Sequence, residues 1–159
     1  MALFNPHDLR PLLPPGTRLL GVDPGKRQIG LALSDVSLTL ASPLLTLKRG
    51  KMAQNVVELE NLVHRHGIGG LVVGLPLSLD GDFGPAARAA HDWGGDIAER
   101  LGLPCALWDE RLSSSAVNRF LIQEADASRA KRAEVVDKMA AAYILQAFLD
   151  ATATDKPNI

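Results

Sequence analysis

Two short apolar runs, Leu19 to Val22 and Ile29 to Ser34, are separated by a stretch that opens Asp23-Pro24-Gly25-Lys26. The Pro-Gly pair suits the middle of a type II turn, so the two runs read as a hairpin of buried strands. A third strand is expected within Leu38 to Leu47. Met52 to His66 follows as a helix with Val56, Leu59, Leu62 and Val63 on one side, and Gly67 is its stop. Leu71-Val72-Val73-Gly74 reads as a fully buried parallel strand, followed by a Gly- and Asp-rich loop from Leu75 to Gly84 and a helix from about Pro85 to Leu101. Gly102-Leu103-Pro104 resets the chain before the strand Cys105 to Trp108. Ser113 or Ser114 can cap a short helix to about Gln123, and Ser128 a last helix from Arg129 to about Leu149. An antiparallel meander followed by alternating helices and strands predicts an α/β fold: a mixed five-stranded sheet, three antiparallel strands then parallel ones, flanked by helices.

The pattern covers residues 18 to 150. Residues 1 to 17 hold Pro6, Pro11, Pro14, Pro15 and Gly16 and are expected to form an arm before the domain, with 151 to 159 a tail. With 47% hydrophobic and 22% charged residues in 159, the chain is neither disordered nor fibrous. Cys105 is its only cysteine, which excludes an intramolecular disulfide and points to a reducing compartment. The first eight residues carry an acid and a proline where a signal peptide needs a basic start and an apolar stretch, and no apolar run is long enough to cross a bilayer; a cytoplasmic protein is expected. A formal net charge of -1 argues against binding nucleic acid through bulk charge, but leaves room for a local basic patch.

Three acids stand where structure alone explains them least. Asp23 ends the first strand just before a glycine turn, and Glu110 follows the last strand, at the carboxyl edge where ligands bind in open α/β sheets. Asp137 lines up with Ala141, Ile144 and Phe148 on the last helix, bordering its packed face. A carboxylate leaning on apolar surface costs several kcal/mol unless a cation or hydrogen-bond donor meets it. Oxygen ligands without Cys or His suit Mg²⁺ or Mn²⁺, one ion or two, and two such ions about 4 Å apart could clamp the oxygens of an in-line phosphoryl displacement. The chemistry implied is phosphodiester hydrolysis.

Four motifs resemble those of the YqgF, or RuvX, family, in the family's order: Asp23-Pro24-Gly25-Lys26-Arg27-Gln28-Ile29-Gly30-Leu31-Ala32-Leu33-Ser34-Asp35, Gly74-Leu75-Pro76-Leu77-Ser78-Leu79-Asp80-Gly81, Trp108-Asp109-Glu110-Arg111-Leu112-Ser113, and the block from Lys131-Arg132 through Asp137-Lys138-Met139-Ala140-Ala141 to Ile144-Leu145-Gln146. The resemblance implies an RNase H-like fold and a nuclease, acting either in maturation of the 5′ end of the 16S rRNA precursor or in Holliday-junction resolution. It places the family's acids on Asp23, Glu110 and Asp137, as catalytic residues and metal ligands, and implies products with a 5′-phosphate and a 3′-hydroxyl. The sequence departs from the wider RNase H-like pattern in lacking an acid after the strand Leu71 to Gly74, so Glu110 would substitute. The late helix offers Asp137 without a close second aspartate.

Lys26, Arg27, Arg111, Arg129, Lys131 and Arg132 are candidates for holding backbone phosphates, since they flank two of the three acids. The loop Leu75 to Gly84 either covers the site or is an ordinary connection. His64 and His66 point in different directions and make a poor metal pair. Trp93 and Trp108 could stack bases but at this spacing more often pack, and Cys105 is expected to be buried and inert. Leu145 and Leu149 fall near the polar side of the last helix and hint at a protein contact such as a homodimer. Two other classes compete with a nuclease. A phosphate-binding ATPase of the actin and sugar-kinase type also opens with an Asp-x-Gly hairpin, but needs a second lobe for which this chain is too short. A non-catalytic nucleic-acid or ribosome adaptor could keep the same fold and acids.

Overall fold

The computed structural model describes residues 2–76, 83–112 and 129–154, with Leu112 and residues 129–136 described by backbone alone. The expected short helix to Gln123, most of the loop after Leu75 and the end of the tail lie outside the described residues. Six strands form one sheet: β1 (Leu3–Phe4), β2 (Arg18–Pro24), β3 (Gln28–Ser34), β4 (Ala41–Lys48), β5 (Ile68–Leu75) and β6 (Cys105–Asp109), in the spatial order β1-β6-β5-β2-β3-β4. Among the described residues the helices are α1 (Pro6–Leu9), α2 (Met52–His66), α3 (Pro85–Leu101) and α4 (Arg129–Ala151), with 3₁₀ turns at Arg10–Leu12, after α1, and at Glu110–Leu112, after β6.

β2, β3 and β4 pair antiparallel, whereas β2, β5 and β6 pair parallel. This is the expected mixed sheet with one correction, since it has six strands rather than five. The extra strand comes from the arm: Leu3 and Phe4 pair parallel with Cys105 and Ala106. A proline-rich segment carries too short an apolar run to read as a strand, yet two residues suffice where an edge offers unpaired backbone groups. Leu9, from the same segment, is fully buried.

The sheet separates two cores. On one face α2 and α3 cover Leu20, Val22, Ile29, Leu31, Leu71 and Val73, and on the other α4 packs on Leu19, Ala32, Val72, Ala106 and Trp108. The alternation of these residues along each strand is the period-two signature of a sheet buried on both sides. Gly67 ends α2 as expected, with φ 65° and ψ 52°, and its N–H donates to the Val63 carbonyl.

Two further expectations are corrected. Gly25 does not take the positive φ that position i+2 of a type II turn requires. The hairpin pairing closes at Pro24 with Ile29, leaving a wider loop, and Gly25 is needed for another reason: a Cβ there would stand 2.6 Å from the Gln28 carbonyl oxygen. Leu145 and Leu149, read as facing away from the core, are buried at 0% and 1% exposure. They pack with Leu9, because the N-terminal segment wraps the flank of α4 that would otherwise face water. The side-chain hint of a homodimer therefore turns out to be internal packing.

Candidate active site

β2, β5 and β6 run in one direction, so their carboxyl ends share an edge. Val22 pairs with Val73 and Val73 with Leu107; one residue on, Gly74 pairs with Trp108, and the same register sets Asp23 level with both. Alternation turns Asp23, Gly74 and Trp108 to the α4 face. Glu110, two residues beyond Trp108, lies in the 3₁₀ turn, which α4 contacts.

Asp137 reaches this edge through glycines. Asp23 stands directly across from Gly30 in the antiparallel pair, so both project to the same face. A methyl group on Gly30 would run into the backbone carbonyl of Asp137. α4 therefore lies directly against the sheet, with its backbone at Asp137 beside the strand position of Asp23. Gly21 and Gly74 extend the trough: a Cβ on Gly21 would stand 2.7 Å from Leu145 Cβ, and one on Gly74 2.6 Å from Ile144 Cδ1. These glycines let α4 approach the sheet closely, a role that naming them within the motifs does not reveal. Their signal was available, since glycine inside a strand marks a close approach by another backbone.

Asp23 is 6% exposed, while Glu110 and Asp137 are half-buried, and each of the three has an interaction partner. β5 separates β2 from β6, which sets the backbones carrying Asp23 and Glu110 about 10 Å apart. Accordingly, among the described residues no three His, Cys, Asp or Glu side chains converge into a ready cluster for an ion. The donor chemistry nevertheless fits a hard divalent cation. Mg²⁺ keeps several waters and is commonly held by one or two carboxylates together with substrate phosphates, so a closed protein cage is not required.

The candidate cations are placed unequally. Lys26 and Arg27 are exposed on the β2–β3 loop, next to Asp23. Arg111 is held by Asp109: its Nη2 stands 2.6 Å from Oδ2 and its Nε 3.0 Å from Oδ1. The Arg111 guanidinium accordingly holds the Asp109 carboxyl below its usual range, against the upward push of burial. Arg129, Lys131 and Arg132 lie in the first turns of α4, and their side chains are outside the described residues. Trp93 and Trp108, each 7% exposed, are packing residues. Trp108 meets Phe148 edge to face at 5.8 Å, and Trp93 lies beneath the Arg49 guanidinium at 5.4 Å.

Comparison with known proteins gives the family and the fold. The sequence profile of RuvX, described as a Holliday junction resolvase, matches residues 17–151. The chain belongs to the RuvX family. This RuvX-family chain is 65% identical over 159 residues to the "Putative pre-16S rRNA nuclease" of Gluconobacter oxydans, covering 100% of this chain and 99% of that one. It is 61% identical over 153 residues to the protein of the same name from Gluconacetobacter diazotrophicus, covering 96% and 99%. Among solved structures it is similar to Thermus thermophilus RuvC in complex with a Holliday junction substrate, with a TM-score of 0.55 at 16% identity over 89% of this chain and 99% of that one. At that identity the likeness concerns the fold, which is RNase H-like. Among the described residues of this RuvX-family chain, no helix is long and apolar enough to cross a membrane.

Proposed function

We propose that this RuvX-family chain is a divalent-metal-dependent endonuclease that hydrolyses phosphodiester bonds, and that its substrate is the 5′ end of the 16S rRNA precursor. The observation that carries the reading is the seating of Asp137 against Gly30, directly beside the buried Asp23. A carboxylate buried at a strand end costs stability unless donors or a cation meet it, and an acid carried on the helix beside it lets a shared cation offset part of that cost. Asp23, Glu110 and Asp137 are assigned to hold Mg²⁺ or Mn²⁺. When bound, such an ion lowers the pKa of a water and neutralises charge developing on the phosphoryl oxygens. Asp23 contributes the rigid ligand, being fixed in the sheet interior, while Glu110 and Asp137 approach from the turn after β6 and from α4. Lys26, Arg27, Arg111, Arg129, Lys131 and Arg132 are assigned to the backbone phosphates of the strand being cut.

The names of the curated relatives favour the RNA substrate, and the family description favours a four-way DNA junction. Two symmetric cuts in a junction call for a dimer. Relatives at 65% and 61% identity carry the pre-16S rRNA nuclease name, so trimming of RNA is the preferred reading.

The test is cleavage of end-labelled single-stranded RNA, single-stranded DNA and a four-way junction, with Mg²⁺ or Mn²⁺, by the wild type, Asp23→Asn and Asp137→Asn. Loss of one anchoring carboxylate, worth about 4 kcal/mol to the transition state, should slow cutting about a thousandfold. Preference for the junction would transfer the assignment to resolution. Binding without cutting, or mutants that cut as well as wild type, would sink the catalytic reading in favour of an adaptor.

A further inference from the structure

The β2–β3 loop is not alone at its end of the sheet. Gln28 pairs with Lys48, so the end of β4 and the segment after it, Lys48-Arg49-Gly50-Lys51, lie beside Pro24-Gly25-Lys26-Arg27-Gln28. The Arg49 N–H donates to the Arg27 carbonyl at 2.9 Å, and the Arg49 guanidinium Nη1 donates to the Gly25 carbonyl at 2.9 Å. Gly25 N–H in turn donates to the Asp23 carbonyl at 3.0 Å. Five of the chain's seventeen Lys and Arg residues are thereby gathered on two adjoining segments that contain no Asp or Glu. Lys26, Arg27, Lys48 and Lys51 are exposed, and among the described residues none of them is ion-paired with a carboxylate. Arg49 differs, being clamped between the Gly25 carbonyl and the face of Trp93 on α3.

Like charges so close repel one another and cost stability in the free protein, and a polyanion relieves that cost. We propose that Lys48 and Lys51, together with Lys26 and Arg27, form a track for the sugar-phosphate backbone of an RNA strand, leading from Asp23 across the end of the sheet towards β4. Arg49 is the positioning residue of the track, tying its two segments together and to α3. This track rests on the nuclease reading for its direction, since it begins at the proposed cleavage centre. Lysine ammonium groups meet backbone phosphates as point charges, so the contact is expected to be independent of sequence.

The experiment is binding of a fluorescein-labelled single-stranded RNA of mixed sequence, followed by anisotropy in EDTA across a series of salt concentrations. The wild type is compared with Lys48→Ala/Lys51→Ala and with Arg65→Ala/Arg100→Ala, which removes two exposed cations from elsewhere on the surface. Each single-strand phosphate contact contributes about 0.7 to the slope of log affinity against log salt, so the lysine pair should lower the slope by about 1.4. That change corresponds to an affinity loss of roughly 25-fold at 0.1 M salt relative to 1 M. The Arg65/Arg100 pair should leave the slope unchanged. An unchanged slope in the lysine variant, or equal losses in both variants, would overturn the track. Because EDTA removes the metal, this result is read whether or not the wild type cuts RNA. A failure of the track therefore differs from a failure of the nuclease reading, which shows in the cleavage assay.

Discussion

Gly30 shows how a single missing side chain sets the geometry of the site. It stands across from Asp23, and the space its Cβ would fill is taken by the Asp137 carbonyl. Gly30→Ala must push the first half of α4 off the sheet, an overpacking that costs about 1–3 kcal/mol. Cleavage should fall with it, whereas a variant cutting at the wild-type rate would show that the two acids need not be seated together. Asp35 is a second informative residue, at the far end of β3. Burial pushes its carboxyl up, but donors from the Thr39 N–H, the Ser37 hydroxyl, the Leu40 N–H and the Thr39 hydroxyl outweigh that push and hold it well below the usual carboxylate range. A depressed folded pKa stabilises the fold above the unfolded value, near 3.9, and the gain is lost as pH falls through the folded value. Asp35→Asn should therefore be less stable than wild type at pH 7, by about 1 kcal/mol once solvent screening is allowed for. The gap should close progressively below about pH 4 in urea titrations. A gap that stays constant from pH 7 to pH 2 would mean that the charge is not what matters.

At the scale of elements, the arm and α4 decide each other. α4 buries Ala140, Ala141, Ala142, Ile144, Leu145, Phe148 and Leu149, a band wider than one sheet-facing stripe. The extra width is covered by Leu9 and by Arg10, which is 8% exposed. The Arg10 guanidinium donates to the Thr152 hydroxyl at 2.9 Å, the Leu149 carbonyl at 2.9 Å and the Leu38 carbonyl at 3.1 Å. It thus bonds the arm to the C-terminal end of α4 and to the β3–β4 loop. Arg10→Ala leaves those acceptors in a buried place without their donor, and about 2–3 kcal/mol should be lost in equilibrium unfolding. A loss under about 0.5 kcal/mol would show that water replaces the guanidinium at no cost. Proline content alone makes residues 1 to 17 an arm, and helical periodicity alone puts Leu145 and Leu149 near the polar side of α4. Both readings miss one fact: periodicity along a helix reports how wide its apolar band is, but not which distant segment covers it.

For the whole molecule, the sheet shields its centre from both sides. Cys105 lies in β6 with 0% exposure, and burial pushes its thiol up to about 12. At pH 8 the thiol therefore stays protonated and inaccessible. Labelling of the native protein by a thiol reagent should proceed only through opening of the sheet, so its rate should rise as global stability falls and accelerate in Arg10→Ala. Rapid labelling of the native wild type would mean that the β1–β6 edge frays on its own. Because β1 pairs with β6 over just Leu3 and Phe4, with a flanking bond from the Cys105 N–H to the Ala2 carbonyl at 2.8 Å, the same measurement reads the strength of that short pairing.

Local sequence signals placed β2 to β6 and the long helices in order, marked the Gly67 stop and the burial of β2, β3 and β5, and nominated Asp23, Glu110 and Asp137 as candidate acids. Those features depend on local chemistry: runs of apolar residues, glycine at helix ends, and acids placed at strand ends. Tertiary structure alone decided that the arm supplies a sixth strand, that Leu145 and Leu149 face inward, that Arg111 is held by Asp109, and that Lys48, Arg49 and Lys51 join the loop beside Asp23. All but the local Arg111–Asp109 pair depend on which distant segments are brought side by side. Register is fixed by the packing of the whole sheet, and no single stretch of the chain contains it.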